Sequence, residues 1–271
     1  MKTSVIVCPF SLFGSPGTQQ GAELLADALR EMLEDVRRER RPTRGRAYLR
    51  HVRIEELNLG TIKDVATWRE RAALAARRAL KAGDFMLWLG GNHLSVLPVY
   101  EELAAIGDSL VVQFDAHLDL YNLSGVTETL SHGNFLRHAE RLPEIVNVGH
   151  RDLFLPPKAV REYYIEAFAA SDVAIDSDPV VQAVREAAEG AARVFIDIDC
   201  DAFDPAYFPA VADVLPFGLS PALVLRLIEA IWSDRVCGVS LSEFDPRRDR
   251  NDQSLATLVW LLEYLLLRRY E

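Results

Sequence analysis

The segment Leu110–Asp119 reads LVVQFDAHLD, and it contains the pattern that decides the fold. A short apolar run is followed at once by acidic and histidine side chains. Two further stretches repeat this pattern, FMLWLGGNH at 85–93 and VFIDIDCD at 194–201. A short continuous apolar run is typical of a strand that is buried on both faces. We therefore interpret each stretch as a buried strand that ends in a polar cluster.

Helical patterns lie between these strands and complete a repeating unit. Further strands are predicted at 4–9, 145–148 and 236–241, and helices are predicted at 22–36, 61–82, 95–105, 157–169, 179–191, 221–232 and 255–268. Strands that alternate with helices of this length indicate a parallel sheet covered on both faces. The chain has no internal repeat and no obvious linker. We expect residues 1–271 to form one α/β domain, a three-layer sandwich around a mostly parallel sheet.

The bulk properties exclude several classes of partner. The 271 residues carry a formal net charge of −10, which repels nucleic acid and anionic membranes. The basic run RRERRPTRGR at 37–46 is expected to be a solvated helix end and loop. The apolar stretch at 258–267 is too short to span a bilayer. The three scattered cysteines favour a reducing compartment, so we expect a cytoplasmic protein with no nucleic-acid or membrane partner.

Polar side chains follow the ends of four predicted strands. In parallel α/β sheets, functional groups gather at the carboxyl ends of the strands. The sequence therefore predicts that these side chains converge at one edge of the sheet. They are His93, Asp115, His117, Asp119, Asp199, Asp201 and Glu243.

The spacing of these side chains predicts a metal site. Asp115, His117 and Asp119 are separated by two residues, so in an extended segment they point the same way, and Asp199 and Asp201 repeat this spacing. Buried charges are costly unless something compensates them, and a divalent cation would do so. Carboxylates and imidazoles without thiolates favour Mn²⁺ over a structural zinc site. Because these acids and the two histidines exceed the need of one ion, we expect two Mn²⁺ per chain, which together would activate a water.

Five motifs carry a resemblance to a known superfamily. They are GGNH at 90–93, DAHLD at 115–119, SHG at 131–133, DIDCDAFDP at 197–205 and SEFDP at 242–246. In this order they resemble the motifs of the arginase, agmatinase and formiminoglutamase superfamily. The resemblance implies an arginase-like fold and a metal-dependent hydrolase that cleaves a guanidino group and releases urea.

The resemblance also implies how the two ions would be shared. Asp115 and Asp199 would bridge them. The ligands of the first ion would be His93, Asp115, Asp119 and Asp199. The ligands of the second would be Asp115, His117, Asp199 and Asp201.

Three residues acquire catalytic expectations from the same resemblance. His132 matches the histidine that shuttles protons, and Glu243 matches the acid that pairs with the guanidinium of the substrate. Asp119 is expected to take the proton of the tetrahedral intermediate. A structural alternative for Glu243 is a salt bridge with Arg247 or Arg248.

A departure from the family pattern bears on the substrate. The segment GHRDLF at 149–154 resembles the family's G-x-R-D-x-D, whose final aspartate helps to recognise the α-amino group of free arginine. Phe154 stands at that position, and a phenyl ring cannot accept hydrogen bonds from an ammonium. This favours a substrate without a free α-amino group, unless Asp152 replaces the contact. The run 118–136 resembles the peptide arginases, which convert arginine to ornithine within a peptide.

We therefore expect peptidyl arginine as the substrate, with free arginine and agmatine-like compounds as alternatives. The residues expected to line its binding site are Tyr121, Asn122, His150, Phe154 and Glu243. Other functions stay open: an amidine or formimidoyl hydrolase, a deacetylase-like relative with one Zn²⁺, and an inactive metal-binding homologue. The lack of an adjacent His-His pair counts against the deacetylase, and retention of all predicted ligands counts against an inactive homologue. A homo-oligomer also stays open.

Overall fold

The computed structural model of the chain describes residues 2–59, 66–121 and 129–271. Its strands and helices alternate along most of the chain. In chain order they are β1 (Thr3–Cys8), α1 (Thr18–Arg38), β2 (Val52–Glu56), α2 (Trp68–Ala82), β3 (Phe85–Gly90), α3 (Leu97–Ile106), β4 (Ser109–Phe114), β5 (Glu144–His150), α4 (Pro157–Val160), β6 (Glu166–Ala169), α5 (Ala170–Ile175), α6 (Ser177–Gly190), β7 (Arg193–Asp199), α7 (Pro221–Ile231), β8 (Val236–Ser242) and α8 (Gln253–Tyr270).

The eight described strands form one sheet in which each strand pairs in parallel with its neighbours. The strand order is β2-β1-β3-β8-β7-β4-β5-β6. The α/β prediction is confirmed, and the sheet is wholly rather than mostly parallel. The four central strands, β3, β8, β7 and β4, are those after which the sequence places polar clusters.

Side-chain alternation along the strands divides the core into two apolar layers. In β3, Phe85, Leu87 and Leu89 belong to the layer that also contains residues of α1, α6, α7 and α8. Met86 and Trp88 belong to the opposite layer, which contains residues of α2 and α3. Both faces of the central strands are therefore covered, which explains why these strands are continuously apolar.

One predicted helix is wrong. The helix expected at 157–169 is only the short α4, and the segment then forms β6, which pairs with β5 at the edge of the sheet. Proline at the first position favours a helical start at Pro157. The backbone groups of the later residues are satisfied by pairing with β5. The spacing of apolar residues in the sequence does not reveal this pairing. The first residues of the helix predicted at 61–82 lie partly outside the described residues, and the described part is α2.

Two expectations, on the basic run and on membrane-spanning segments, can be compared with the structure. The charged side chains of the basic run at 37–46 are exposed, at the end of α1 and in the loop that follows. No helix among the described residues is both long enough and apolar enough to cross a membrane.

A close approach between α1 and the segment after β8 gives a test of this packing. A Cβ at Gly21 would overlap the carbonyl oxygen of Phe244, next to Glu243. We predict that Gly21→Ala lowers the free energy of unfolding by about 1–3 kcal/mol, because the helix must move away from β8.

The matched control is Gly190→Ala at the end of α6, where an added Cβ meets nothing within 4 Å. It should be neutral or stabilise by up to about 1 kcal/mol, because alanine favours helices. Denaturant unfolding of both variants measures the difference. Equal stabilities would contradict the tight contact between α1 and Phe244.

Candidate metal centre

The carboxyl ends of the four central strands bring the predicted site residues together. His93 begins a short 3₁₀ turn after β3, and Asp115 follows β4 directly. Asp199 ends β7, Asp201 lies in the 3₁₀ turn that follows, and Glu243 follows β8. Because β3, β8, β7 and β4 are neighbours in the sheet, these side chains meet at one edge.

Two groups of potential ligand atoms share one carboxylate. The first group is His93, Asp115 and Asp199, and the second is Asp115, His117 and Asp201. Within each group the ligand atoms lie within 4.8 Å of one another. Asp115 belongs to both groups, as a bridging ligand would.

The imidazole of His93 faces three carboxylates. Its Nδ1 lies 3.2 Å from Asp115 Oδ2, 2.8 Å from Asp119 Oδ2 and 3.2 Å from Asp199 Oδ2. In the second group, His117 Nδ1 lies 3.0 Å from Asp201 Oδ2. All the residues predicted as metal ligands are therefore brought together.

Backbone amides orient the carboxylates by binding one oxygen of each. His117 N donates to Asp115 Oδ1 (2.7 Å), Asp201 N donates to Asp199 Oδ1 (2.9 Å), and Ala116 N donates to Asp201 Oδ1 (3.2 Å). The Oδ2 atoms of these three carboxylates are the ones that face the imidazoles. Asp115 and Asp199 are thus fixed by their own segments and Asp201 by the segment after β4, and each presents one oxygen to the cluster.

Three buried polar atoms of the cluster have no hydrogen-bond partner within the described part of the chain. They are His93 Nδ1, Asp115 Oδ2 and Asp119 Oδ2. An unsatisfied buried polar atom is costly, and an unsatisfied buried charge costs more. These atoms converge on one another, and all are of the kinds that bind divalent metals, so the donor set fits a metal centre.

The pKa values of the cluster reflect crowded negative charge. Burial and the neighbouring Asp119 raise the pKa of Asp115 to about 7. Burial and Asp201 likewise hold the pKa of Asp199 well above its ordinary range. Burial opposes the charging of His93, but Asp197, Asp199 and Asp115 outweigh it and hold its pKa well above the ordinary value. Burial and neighbouring carboxylates therefore oppose the ionisation of Asp115 and Asp199, and a bound cation would relieve this.

A network behind His93 fixes the orientation of its ring. His93 Nε2 lies 2.8 Å from Asp197 Oδ2, and the same oxygen accepts a hydrogen bond from Tyr100 OH (2.5 Å). Ser240 Oγ donates to the other oxygen of Asp197. A carboxylate on one ring nitrogen leaves the other nitrogen free to bind a metal.

Asp197 belongs to a buried polar row that runs across four strands. Strand register places Ser240 beside Asp197, Asp197 beside Gln113, and Gln113 beside Asn147. Asn147 Nδ2 donates to Gln113 Oε1 (3.0 Å) and to the backbone oxygen of His117 (3.1 Å). Sequence reasoning missed Gln113 and Asn147, although a polar residue inside an apolar strand run was the available signal.

Glu243 and His132 form a second polar group beside the cluster. Glu243 Oε1 accepts a hydrogen bond from His93 N (2.8 Å) and lies 3.4 Å from His132 Nδ1. Arg247 and Arg248 instead pair with Asp245, so the salt-bridge alternative for Glu243 is not the observed arrangement.

Two of the acids at the site have a strained backbone. Glu243 has φ 63° and Asp119 has φ 48°, in the left-handed region that residues other than glycine seldom adopt. Such strain costs on the order of 1–3 kcal/mol and concentrates at functional sites.

The loop between β1 and α1 packs on His132. A Cβ at Gly14, whose φ is 150°, would overlap the ring of His132. Ser15 Oγ lies 3.4 Å from His132 Nδ1. Asn92 secures this loop, because its side-chain amide donates to the backbone oxygens of Leu12 (2.9 Å) and Gly14 (3.1 Å). An aspartate at this position would only accept hydrogen bonds when ionised and could not hold these two backbone oxygens.

The charge balance at His132 favours its protonated form. Burial opposes protonation, but the hydrogen bond and charge of Glu243 outweigh it, and the pKa of His132 is raised above its ordinary value. A group of this kind can donate a proton to a departing nitrogen near neutral pH.

Tyr121, Phe154 and Asn122 are three of the residues predicted to contact the substrate, and each has a different placement. The ring of Tyr121 lies 6.1 Å from that of His117 in an edge-on arrangement, next to the cluster. The side chain of Phe154 is 93% exposed, while Asp152 Oδ1 accepts a hydrogen bond from the amide of Phe154 (2.8 Å). Asn122 lies outside the described residues.

His150 is placed beside the cluster rather than in it. It lines a cavity of about 370 Å³ with Asp152, Leu118 and Tyr164, and the lining residues described there include none of the predicted metal ligands. Burial lowers the pKa of His150. The expectation that His150 contacts the substrate therefore gains no support from this arrangement.

Comparison with known proteins identifies the family. A family model described as "Arginase family" matches residues 1–267. This chain belongs to the arginase family. The superfamily resemblance drawn from the motifs is confirmed.

Several relatives of this arginase-family chain carry ureohydrolase names. The N(1)-aminopropylagmatine ureohydrolase of Thermus thermophilus is 31% identical over 175 residues, which cover 63% of this chain and 58% of that protein. The agmatinase of Cronobacter sakazakii is 28% identical over 212 residues, covering 76% of this chain and 67% of the relative. The match thus spans less than two thirds of the length of the Thermus protein.

A solved structure gives an independent measure of the fold. The arginase from Bacillus subtilis superposes with a TM-score of 0.81 at 21% identity, and the match covers 98% of each chain. At this level of identity the likeness shows the shared fold.

The network behind His93 predicts that Asp197 controls metal affinity in this arginase-family chain. In the Asp197→Asn variant the side-chain amide has one acceptor oxygen, whereas the carboxylate accepts hydrogen bonds from three donors. The ring of His93 therefore loses its fixed orientation. We expect the affinity for divalent cations to fall by about 10- to 100-fold. Metal content after dialysis against a chelating buffer measures this.

Ser240→Ala is the matched control, because it removes one donor and leaves the carboxylate in place. Its metal content should stay closer to that of the wild type. Equal retention of metal by both variants and the wild type would contradict the role of Asp197.

The protonation of the cluster predicts opposite pH trends with and without metal. The pKa of Asp115 is raised from 3.8 to about 7, and that of His117, whose burial is outweighed by Asp201, is raised to about 10. Since both folded-state pKa values lie above the unfolded values, the metal-free protein should lose stability as pH rises. Metal binding requires deprotonated ligands, so the affinity for the cation should rise with pH.

Thermal unfolding of chelator-treated protein, with and without divalent cation, measures both trends at about pH 5.5, 6.5 and 7.5. The Tm increase caused by the cation should grow across this series. An increase that stays constant with pH would contradict proton competition at the cluster.

Proposed function

We propose that this protein is a binuclear manganese hydrolase that removes urea from a guanidino group, with arginine held within a peptide as its substrate. The observation that carries the proposal is the pair of ligand groups that share Asp115 and adjoin Glu243 and His132. A metal pair next to a buried carboxylate and a histidine whose pKa is raised suits hydrolysis of a cationic, planar group.

The proposed ligand set is the one that the resemblance to the arginase superfamily implies. His93, Asp115, Asp119 and Asp199 would hold the first ion, and Asp115, His117, Asp199 and Asp201 would hold the second; the sharing of Asp115 by two groups of potential ligand atoms supports this. Imidazole and carboxylate ligands without thiolate favour Mn²⁺. When bound, the two ions would supply a nucleophilic water at neutral pH.

The side chains of this chain then have separate tasks. Glu243 is 3% exposed, so its negative charge is well placed to bind and orient a guanidinium in a water-poor site. Water adds to the guanidinium carbon, and the bond between that carbon and the side-chain nitrogen of arginine breaks. That nitrogen gains two protons as it leaves, one from His132 and one from the hydroxyl that becomes the carbonyl of urea, and Asp119 accepts the first proton of the added water. The products are urea and an ornithine residue in the peptide.

The substrate proposal depends on the residues around the cluster. Phe154 offers no carboxylate to an α-ammonium, and arginine within a peptide has no such group. The names of the relatives from Thermus and Cronobacter favour a second candidate, an agmatine-like amine, which lacks the carboxylate of arginine but keeps a primary ammonium. We further propose that the chain acts as one catalytic domain in the cytoplasm, which agrees with the absence of disulfides among its three cysteines.

Urea release tests the proposal directly. Protein purified with Mn²⁺ should contain close to two ions per chain and should release urea from an arginine-containing peptide more efficiently than from free arginine or agmatine. Glu243→Gln should keep the metal and lower kcat/KM by about 100-fold, because the guanidinium loses its charged partner.

Glu263→Gln is the matched control, since Glu263 lies in α8 and accepts a hydrogen bond from Tyr48. It should leave both metal content and urea release unchanged. A metal ratio near zero would refute the metal centre, and full urea release by Glu243→Gln would refute the role of that residue. Preference for agmatine would select the second candidate.

A further inference from the structure

Exposed apolar side chains surround the candidate centre, and we call them the apolar rim. They lie in three loops that follow β1, β5 and β7, and their exposure ranges from 44% to 93%. The apolar rim consists of Leu12, Phe13, Leu153, Phe154, Val214 and Phe217. All three loops leave the carboxyl edge of the sheet, where the metal-ligand cluster lies.

Hydrogen bonds tie these loops to the site. The backbone oxygen of Phe13 accepts a hydrogen bond from His132 N (3.3 Å). The guanidinium of Arg151, which precedes Leu153, donates to the backbone oxygens of Asp201 (2.6 Å) and Leu215 (3.3 Å). The loops after β1, β5 and β7 are therefore continuous with the cluster.

Two aromatic residues of the rim are held in a strained backbone conformation. Phe13 has φ 64° and Phe217 has φ 60°, yet their side chains are 55% and 78% exposed. Left-handed φ is unusual for bulky residues and costs on the order of 1–3 kcal/mol. Burial of the rings offsets little of this cost, so both rings stay open to contact with a ligand.

We propose that the apolar rim binds apolar residues that flank the target arginine in a peptide substrate. This inference rests on the proposed function and specifies its substrate class. The cationic side chain would enter the acidic centre, where Glu243 and Asp213 both raise the pKa of His132. The flanking residues would cover the exposed rings.

A small substrate leaves the rim without a partner. Free arginine and agmatine have no apolar group beyond the methylenes that enter the site. A peptide with leucine or phenylalanine on either side of arginine places apolar surface where the rim is exposed, and burial of that surface stabilises the complex. The competing occupant is a second copy of this chain, which the experiment also tests.

The test compares blocked substrates that differ only in their flanking residues. Urea release by the manganese-loaded protein is measured with acetyl-arginine methylamide, acetyl-Gly-Arg-Gly-amide and acetyl-Leu-Arg-Leu-amide. We expect a KM about ten-fold lower for the leucine peptide than for the glycine peptide at similar kcat, because the flanks add binding that does not change during reaction.

Two exposed positions provide the variants. Phe154→Ser combined with Phe217→Asn should reduce the ten-fold KM difference to less than about two-fold, since asparagine tolerates the left-handed backbone at position 217. The matched control is Leu74→Ser on α2, where the side chain is 51% exposed and outside the rim loops. It should preserve the difference.

The outcomes separate the two proposals. Equal KM values for the glycine and leucine peptides, with urea released from both, would overturn the rim proposal and leave the proposed function standing. No urea from any of the three substrates would overturn both. Light scattering of the wild type and the double variant completes the test. If the wild type is an oligomer, the double variant is a monomer and the peptide preference is unchanged, the rim is an interface between copies and the proposal is overturned.

Discussion

Electrostatic repulsion among buried carboxylates is the constraint on which the rest of this structure depends. Asp115, Asp119, Asp199 and Asp201 are almost excluded from water, and the two nearby imidazoles do not balance them. Water cannot screen such charges, so each must be fixed by hydrogen bonds or by a bound cation. The four central strands bring these side chains together by ending side by side, and backbone amides just beyond β4 and β7 hold one oxygen each of Asp115, Asp199 and Asp201.

Rigidity reaches this edge of the sheet from two directions. Below it, the polar row from Ser240 to Asn147 holds the ring of His93 and the backbone of His117. Beside it, the loop secured by Asn92 presses against the ring of His132. The predicted metal ligands and the predicted proton donor are thus supported by different parts of the chain.

Much of this arrangement could be predicted from the sequence, because strand alternation is a local property. The two-residue spacing of Asp115, His117 and Asp119 marked them as candidate ligands, although their segment bends and has φ 48° at Asp119 instead of continuing extended, and short apolar runs identified the central strands. Pairing between distant segments is not local, so the edge strand at 166–169 was predicted as a helix and the row through Gln113 was missed. The position of His150 after a strand was clear from the sequence. Which cavity its side chain enters depends on tertiary packing, which the sequence pattern does not show.

The strand order has a consequence for the formation of the protein. β8, which is the last described strand to be synthesised, lies between β3 and β7 at the middle of the sheet. The hydrogen bond from His93 to Glu243 joins residues 150 positions apart. Contacts of such high sequence separation form late and slowly. The cation-binding pocket therefore forms only after β8 has entered the sheet, and a cation that binds it draws the folding equilibrium toward the native state alone.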